Sequence, residues 1–171
     1  KTRGTATGEI SIGEYAGGIT ERINRLADLL RTGGFIVNCV EDVNSLVWTK
    51  LAVNVGINAI GALARLKNGE THSIEPAGEI QRLAVEEFSA VARAEGIDID
   101  YDGIYRHVVD VTVSAAVTKC SMLQDIEHRG RTEVKAINGA IVEGGKRHGI
   151  PTPVNLVLTR LVQAEQQSFG Q

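Results

Sequence analysis

The stretch Val47-Trp48-Thr49-Lys50-Leu51-Ala52-Val53-Asn54-Val55-Gly56-Ile57-Asn58-Ala59-Ile60 sets a lysine and two asparagines four residues apart in an otherwise apolar run. On an α-helix four residues turn through about 400°, so Lys50, Asn54 and Asn58 drift by only about 40° per step and share one face. Leu51, Val53, Val55, Ile57 and Ile60 around them demand a core. A buried polar group without a hydrogen bond costs kilocalories, so a polar stripe on such a helix needs a polar partner, and a bound substrate is one. The competing reading is a solvated lysine with incidental amides. Two asparagines in register with a lysine weigh against it, because the asparagine amide competes for backbone groups and is a mediocre helix former.

Working outward, Asp42 or Asn44 is placed to cap a helix running to about Leu66. Gly56 and Gly61 weaken it by about 1 kcal/mol each relative to alanine, and leave room for a neighbouring helix or a ligand. Lys67-Asn68-Gly69 ends it. A second helix is predicted from Glu75-Pro76 to Glu95, with Ile80, Leu83, Ala84, Phe88 and Val91 inward. Ile97 to Asp102 reads as a connector and 103–119 as a third helix. Residues 121–130 read as irregular, and 132–148 as a fourth helix with Val134, Ile137, Ile141 and Val142 inward. Gly149-Ile150-Pro151-Thr152-Pro153 stops it, and a final helix spans 154 to about 166. Upstream of all this, Gly8 to Gly13 alternates as a short strand does. Ile19 to Arg31 is an amphipathic helix with Ile19, Ile23, Leu26, Leu29 and Leu30 on one side, and Phe35 to Val40 is a second short strand. Two strands and a helix are not stable alone, so this piece is expected to complete a larger sheet or to recruit a partner.

Hydrophobic residues make up 43% of the 171 residues, enough for a packed core and too many for a disordered chain. The formal charge of −3 offers no basic excess for nucleic acid. No uninterrupted apolar stretch of membrane-spanning length is read from the sequence, so no membrane partner is expected. The start, Lys1-Thr2-Arg3-Gly4-Thr5, has neither an initiator methionine nor the apolar core of a signal peptide, and the chain reads as part of a longer polypeptide. Cys39 and Cys120 have no metal-ligand spacing and read as free thiols of a cytoplasmic protein. The four histidines form no metal motif. His107 and Asp110 could share a helix face, which is more simply a surface contact.

Three segments together resemble the C-terminal half of ketopantoate reductases (2-dehydropantoate 2-reductases). They are Trp48 to Leu63; Ser121-Met122-Leu123-Gln124-Asp125-Ile126; and Arg131-Thr132-Glu133 through Asn138-Gly139, followed by Gly149 to Asn155. The resemblance covers nearly the whole chain. It implies a mainly α fold: an all-helical C-terminal domain like that of 6-phosphogluconate dehydrogenase over 42–171. Residues 1–41 are then the remnant of an α/β dinucleotide-binding domain. It implies an oxidoreductase of pantothenate biosynthesis that reduces ketopantoate with NADPH. The Gly-rich turn G-x-G-x-x-G that seats the pyrophosphate of a dinucleotide is not in this sequence, so the piece alone is expected to be inactive.

By resemblance Lys50 is the general acid, and Asn54, Asn58, Asn68 and Ser121 bind substrate. Glu133 meets the ribose and nicotinamide region of the cofactor. Asn68 also fits a plain Asn-Gly turn, Ser121 a helix N-cap, and Glu133 a first-turn glutamate of the fourth helix. Asp125 matches the motif and is given a structural role, accepting backbone hydrogen bonds or pairing with Arg129 or Arg131. Two rivals stand beside this reading. One is a relative acting on another 2-keto acid. The other is a helical dimerisation module without chemistry, for which Val108 to Val117, apolar on more than one side, is the natural homodimer surface.

Overall fold

A computed structural model describes residues 8–169, in two compact units that meet in the sequence between Trp48 and Thr49. In the first unit, strand β1 (Glu9–Ile12), helix α1 (Glu21–Thr32) and strand β2 (Ile36–Cys39) follow one another. The strands pair in parallel, with Ile10 opposite Val37 and Ile12 opposite Cys39. Parallel neighbours require a crossover, and α1 provides it. Thr20 caps α1 by accepting the Ile23 N–H, 3.3 Å away. Gly34, at φ +87°, makes the left-handed turn into β2. Only Ile23 and Ala27 of α1 are buried, and Leu29 stays 68% exposed. The broad apolar face expected from Ile19, Leu26, Leu29 and Leu30 is therefore not filled within this unit, because two strands present too little surface to cover it.

The second unit is all-helical. Helix α2 (Val43–Ala64) begins in the first unit, and α3 (Glu70–Ser73), α4 (Glu75–Ala94), α5 (Tyr101–Ser114), α6 (Ser121–Glu127), α7 (Asn138–His148) and α8 (Pro153–Ser168) follow. The chain is thus mainly helical, with one short strand pair. By length and composition alone α2 is long and apolar enough to cross a bilayer, although Lys50, Asn54 and Asn58 interrupt it; half of its most apolar stretch is buried inside the protein, as befits a core helix. Ala52, Val55 and every residue from Gly56 to Ala62 are buried. A Cβ at Gly56 would stand 2.9 Å from Val108 Cγ1 and 3.1 Å from Val85 Cγ2, so α5 and α4 both press on the bare backbone of α2 there. Gly61 does the same for Cys120, whose Sγ would lie 3.1 Å from an added Cβ.

Several boundaries differ from the sequence reading for identifiable reasons. Helix α5 starts early because the Asp100 carboxylate caps it, accepting the Gly103 N–H at 2.7 Å. Its inward face is Ile104, Val108 and Thr112, whereas Val113 and Val117 are exposed. Residues 121–130, read as irregular, contain α6. Residues 131–137 form turns, and α7 begins only at Asn138. There the Val134 carbonyl accepts the N–H of Gly139, five residues on, so the single turn closed by the Glu133 carbonyl and the Ile137 N–H does not run on into α7. Val134 and Ile137 are nonetheless buried, as expected. On α4 the buried face is centred on Gln81 and Phe88, and Ile80 lies outside it. The Gln81 amide can be buried because its Nε2 reaches Thr112 Oγ1 at 3.4 Å and Thr71 Oγ1 at 3.5 Å, while its Oε1 meets His72 Nδ1 at 3.1 Å.

A second buried polar cluster ties four helices together. Asn138 Nδ2 donates to the Val55 carbonyl of α2 at 3.3 Å and to Asn155 Oδ1 at 2.9 Å. Asn155 Nδ2 donates to the Ala84 carbonyl at 3.1 Å and to Glu87 Oε2 at 2.7 Å. Glu87 of α4 also accepts the Val154 and Asn155 N–H groups at 2.8 and 2.9 Å. It thereby caps α8, whose own N-cap residue Thr152 makes no side-chain cap bond. Replacing Asn155 removes side-chain hydrogen bonds to three partners, two of them buried bonds. Asn155→Ala is expected to lower the unfolding free energy by about 3 kcal/mol or more in urea titration. Asn54→Ala, which removes no internal hydrogen bond, is expected to change it by less than about 1 kcal/mol. Equal effects from the two would contradict this division of roles.

Candidate active site

Helix α2 is continuous through Lys50, Asn54 and Asn58, so the three lie on one ridge spanning about 12 Å of helix axis. Lys50 is exposed, Asn54 half-buried and Asn58 only 5% exposed, so the ridge descends from solvent into the domain. Among the described residues none of these three side chains has a hydrogen-bond or ion-pair partner. Unpaired carboxamides at these depths differ sharply from Asn138 and Asn155, whose amides are engaged in the core.

The connector between α5 and α6 carries two more candidates to the same helix. Cys120 Sγ donates to the Asn58 carbonyl at 3.6 Å and accepts the Leu123 N–H at 3.4 Å. The N-cap of α6 is therefore Cys120, not Ser121. Ser121 is the first helical residue, exposed, with its hydroxyl not engaged in capping. Earlier in the connector, Thr118 holds Asn68. The Asn68 N–H donates to the Thr118 carbonyl at 2.9 Å and Asn68 Nδ2 to Thr118 Oγ1 at 3.0 Å. Thr118 Oγ1 already donates its proton to the Ala115 carbonyl at 2.7 Å, which fixes the orientation of the Asn68 amide. The buried Asn68 Oδ1 is left without a donor. Asn68 is also a turn residue, since its carbonyl accepts from Thr71 N and Thr71 Oγ1. The turn reading and a pendant acceptor hold together.

The segment 115–121 thus holds Asn68 through Thr118 and meets the Asn58 main chain through Cys120, while Lys50 and Asn54 lie nearer the start of α2. Glu133 sits apart from that seam. It is exposed in the turns before α7, so it is not a first-turn helical residue, and no hydrogen bond or ion pair joins it to the others among the described residues. Its segment is moored to α2 through Asn138 and the Val55 carbonyl. Asp125 forms no ion pair with Arg129 or Arg131 among the described residues; its main-chain carbonyl, rather than its carboxylate, accepts from the Gly130 N–H at 2.7 Å. No cluster of histidine, cysteine and carboxylate side chains suited to a metal occurs among the described residues. The set offers one ammonium group, amide donors and acceptors, and a hydroxyl. That combination suits a small anion carrying a carbonyl and hydroxyl groups.

Residues 42–166 match the family described as "Ketopantoate reductase PanE/ApbA C terminal". This chain belongs to the ketopantoate reductase family. It is 36% identical to the 2-dehydropantoate 2-reductase of Archaeoglobus fulgidus over 158 residues, covering 92% of this chain and 53% of that protein. The crystal structure of a PanE/ApbA family ketopantoate reductase from Ralstonia eutropha superposes with a TM-score of 0.88 at 30% identity, covering 99% of this chain and 55% of that one. A D-mandelate dehydrogenase in complex with NADH and anilino(oxo)acetate superposes with a TM-score of 0.86 at 27% identity, covering 97% and 69%. The chain spans about half the length of the curated relatives it matches.

Sequence reasoning treated Cys120 only as a free thiol. Its position directly before a motif serine was the available signal for a cap. Burial pushes the Cys120 thiol up, with the Leu123 N–H partly opposing. Little thiolate is then present at about pH 8, and iodoacetamide is expected to spare Cys120 in the native protein while alkylating it after denaturation. Labelling of native Cys120 at the rate of an unstructured cysteine, read by peptide mass spectrometry, would contradict its place under α6.

Proposed function

We propose that this chain is the substrate-binding and catalytic part of an NADPH-dependent 2-dehydropantoate 2-reductase, which converts the ketone of ketopantoate to the alcohol of pantoate. What carries this reading is the ridge of Lys50, Asn54 and Asn58, whose side chains have no partner among the described residues, in a chain of this family. Domain limits of 1–41 for the end of a nucleotide-binding domain and 42–171 for the helical domain belong to the same proposal.

Reduction places negative charge on the ketone oxygen. The Lys50 ammonium supplies a cation beside that oxygen as charge develops, and then the proton that completes the alcohol. Asn54 and Asn58 hold the substrate along the ridge, each able to donate and accept. Ser121 donates to the carboxylate, and Asn68 completes the substrate-binding set. Glu133, an exposed carboxylate without an ion-pair partner, suits the hydroxyls of a ribose. The glycine-rich turn that would seat the pyrophosphate is not among the residues of this chain, so turnover is assigned to the full-length protein. A reduced nicotinamide supplies the hydride when bound.

A second reading is favoured by one observation: the structural relative bound to NADH and anilino(oxo)acetate, which acts on a different acid. In that reading the same ridge serves another 2-keto acid. A single methylene in the pocket is worth only about 1–3 kcal/mol of discrimination, so pocket shape decides. Steady-state assays of the full-length protein with ketopantoate, pyruvate and 2-ketoisovalerate, each with NADPH and NADH, separate the two. The highest kcat/KM is expected for ketopantoate with NADPH. In the same assay Lys50→Ala is expected to lower kcat by roughly a thousandfold with KM changed only a few-fold. Near-wild-type turnover by that variant would remove Lys50 from the chemistry.

A further inference from the structure

Away from the α2 ridge, the turns before α7 and the C-terminal half of α8 enclose a cavity of about 550 Å³. Its lining includes Arg131, Thr132, Lys135, Arg160, Gln163 and Gln166, and no carboxylate. We propose that this cavity binds a multiply charged phosphate anion of the diphosphate class, at a site separate from the keto-acid ridge.

Arg22, Arg25, Arg31, Arg65, Arg82 and Arg147 each have a carboxylate partner. Arg131, Lys135 and Arg160 have none among the described residues. Glu133, in the same turns, is exposed and does not line the cavity, and two further carboxylates are committed elsewhere. Glu165 pairs with Arg65, and Glu143, which feels the charge of Arg160, is bonded to Lys146 at 2.8 Å. The two glutamines use their oxygens within the protein. Gln163 Oε1 accepts from Arg160 Nη1 at 3.1 Å, and Gln166 Oε1 accepts from Thr132 Oγ1 at 3.3 Å. Thr132 Oγ1 in turn accepts the Val134 N–H at 3.3 Å. Their NH₂ groups remain as donors.

The cavity therefore has three cations and a surplus of donors over acceptors, which is the complement of an oxyanion with many lone pairs. Guanidinium groups match phosphate oxygens in pairs, and the lysine adds a point charge. A monocarboxylate such as a keto acid would leave two of the three charges uncompensated, whereas a diphosphate balances them. One localised cavity on a chain of net charge −3 does not make the extended basic track that nucleic acid requires.

The test is isothermal titration of the full-length protein, with saturating NADPH present to fill the dinucleotide site, with inorganic pyrophosphate at low ionic strength and with ADP in a parallel arm. One saturable site is expected. Removing two of its charges by the double substitution Lys135→Gln, Arg160→Gln should weaken binding by roughly tenfold or more. Arg82→Gln, at an exposed ion pair elsewhere, and Lys50→Ala should leave it unchanged. ADP binding as tight as pyrophosphate would place recognition in the phosphates, and tighter binding would extend it to the attached nucleoside; both support the site. Absence of saturable binding in both arms, or an equal loss in Arg82→Gln, would overturn it as a merely solvated basic patch. Loss of pyrophosphate binding in Lys50→Ala would overturn its separateness, whatever the outcome of the reductase assay.

Discussion

The helical domain depends on a buried polar clamp, in which Asn138 and Asn155 join the Val55 carbonyl of α2, the Ala84 carbonyl and Glu87 of α4, and the first turn of α8. Apolar packing is tolerant of small slides, because one methyl contact substitutes for another. Hydrogen bonds to carboxamides in a dry interior are not, since each misplaced group forfeits its partner and keeps its desolvation cost. Only one arrangement of α2, α4, α7 and α8 satisfies this clamp. By contacting α2 at Val55, one residue beyond Asn54, it fixes the rotation of that helix and so the direction of the Lys50, Asn54 and Asn58 ridge.

Two glycines refine the same placement. At Gly56 the absent side chain lets Val108 and Val85 reach the α2 backbone, and at Gly61 it admits Cys120. The second contact seats the start of α6 on α2, because Cys120 caps α6 and hydrogen-bonds to the Asn58 carbonyl. Thr118, two residues earlier, secures Asn68 and leaves Asn68 Oδ1 unsatisfied. Asn138 and Asn155 have their amide donors engaged, whereas Asn54 and Asn58 have no side-chain partner among the described residues. Their partners, not their burial alone, tell them apart.

Much of this was legible in the sequence. Period-four polar residues in an apolar run announced α2 and its face, and Pro, Gly and Asp marked most helix ends. What escaped depended on groups far apart in the chain. Glu87 caps α8 from 67 residues away, at Val154 N, and no local signal shows that. Gln81 is buried because Thr71 and Thr112 satisfy its amide, and neither lies within its own helix. The late start of α7 follows from one carbonyl, Val134, finding Gly139 rather than the helical partner. On α1, period alone suggested a wide buried face, but a helix buries only what its neighbours can cover.

The central claim is that an ammonium group at position 50 acts directly on the reacting oxygen. Chemical rescue of the full-length Lys50→Ala variant tests it most directly, by following ketopantoate reduction as a function of added primary alkylamine. The account predicts severely reduced turnover that rises with amine concentration and falls off for bulkier amines that the vacated space excludes. Turnover close to that of the unmodified enzyme, with no dependence on amine, would contradict it.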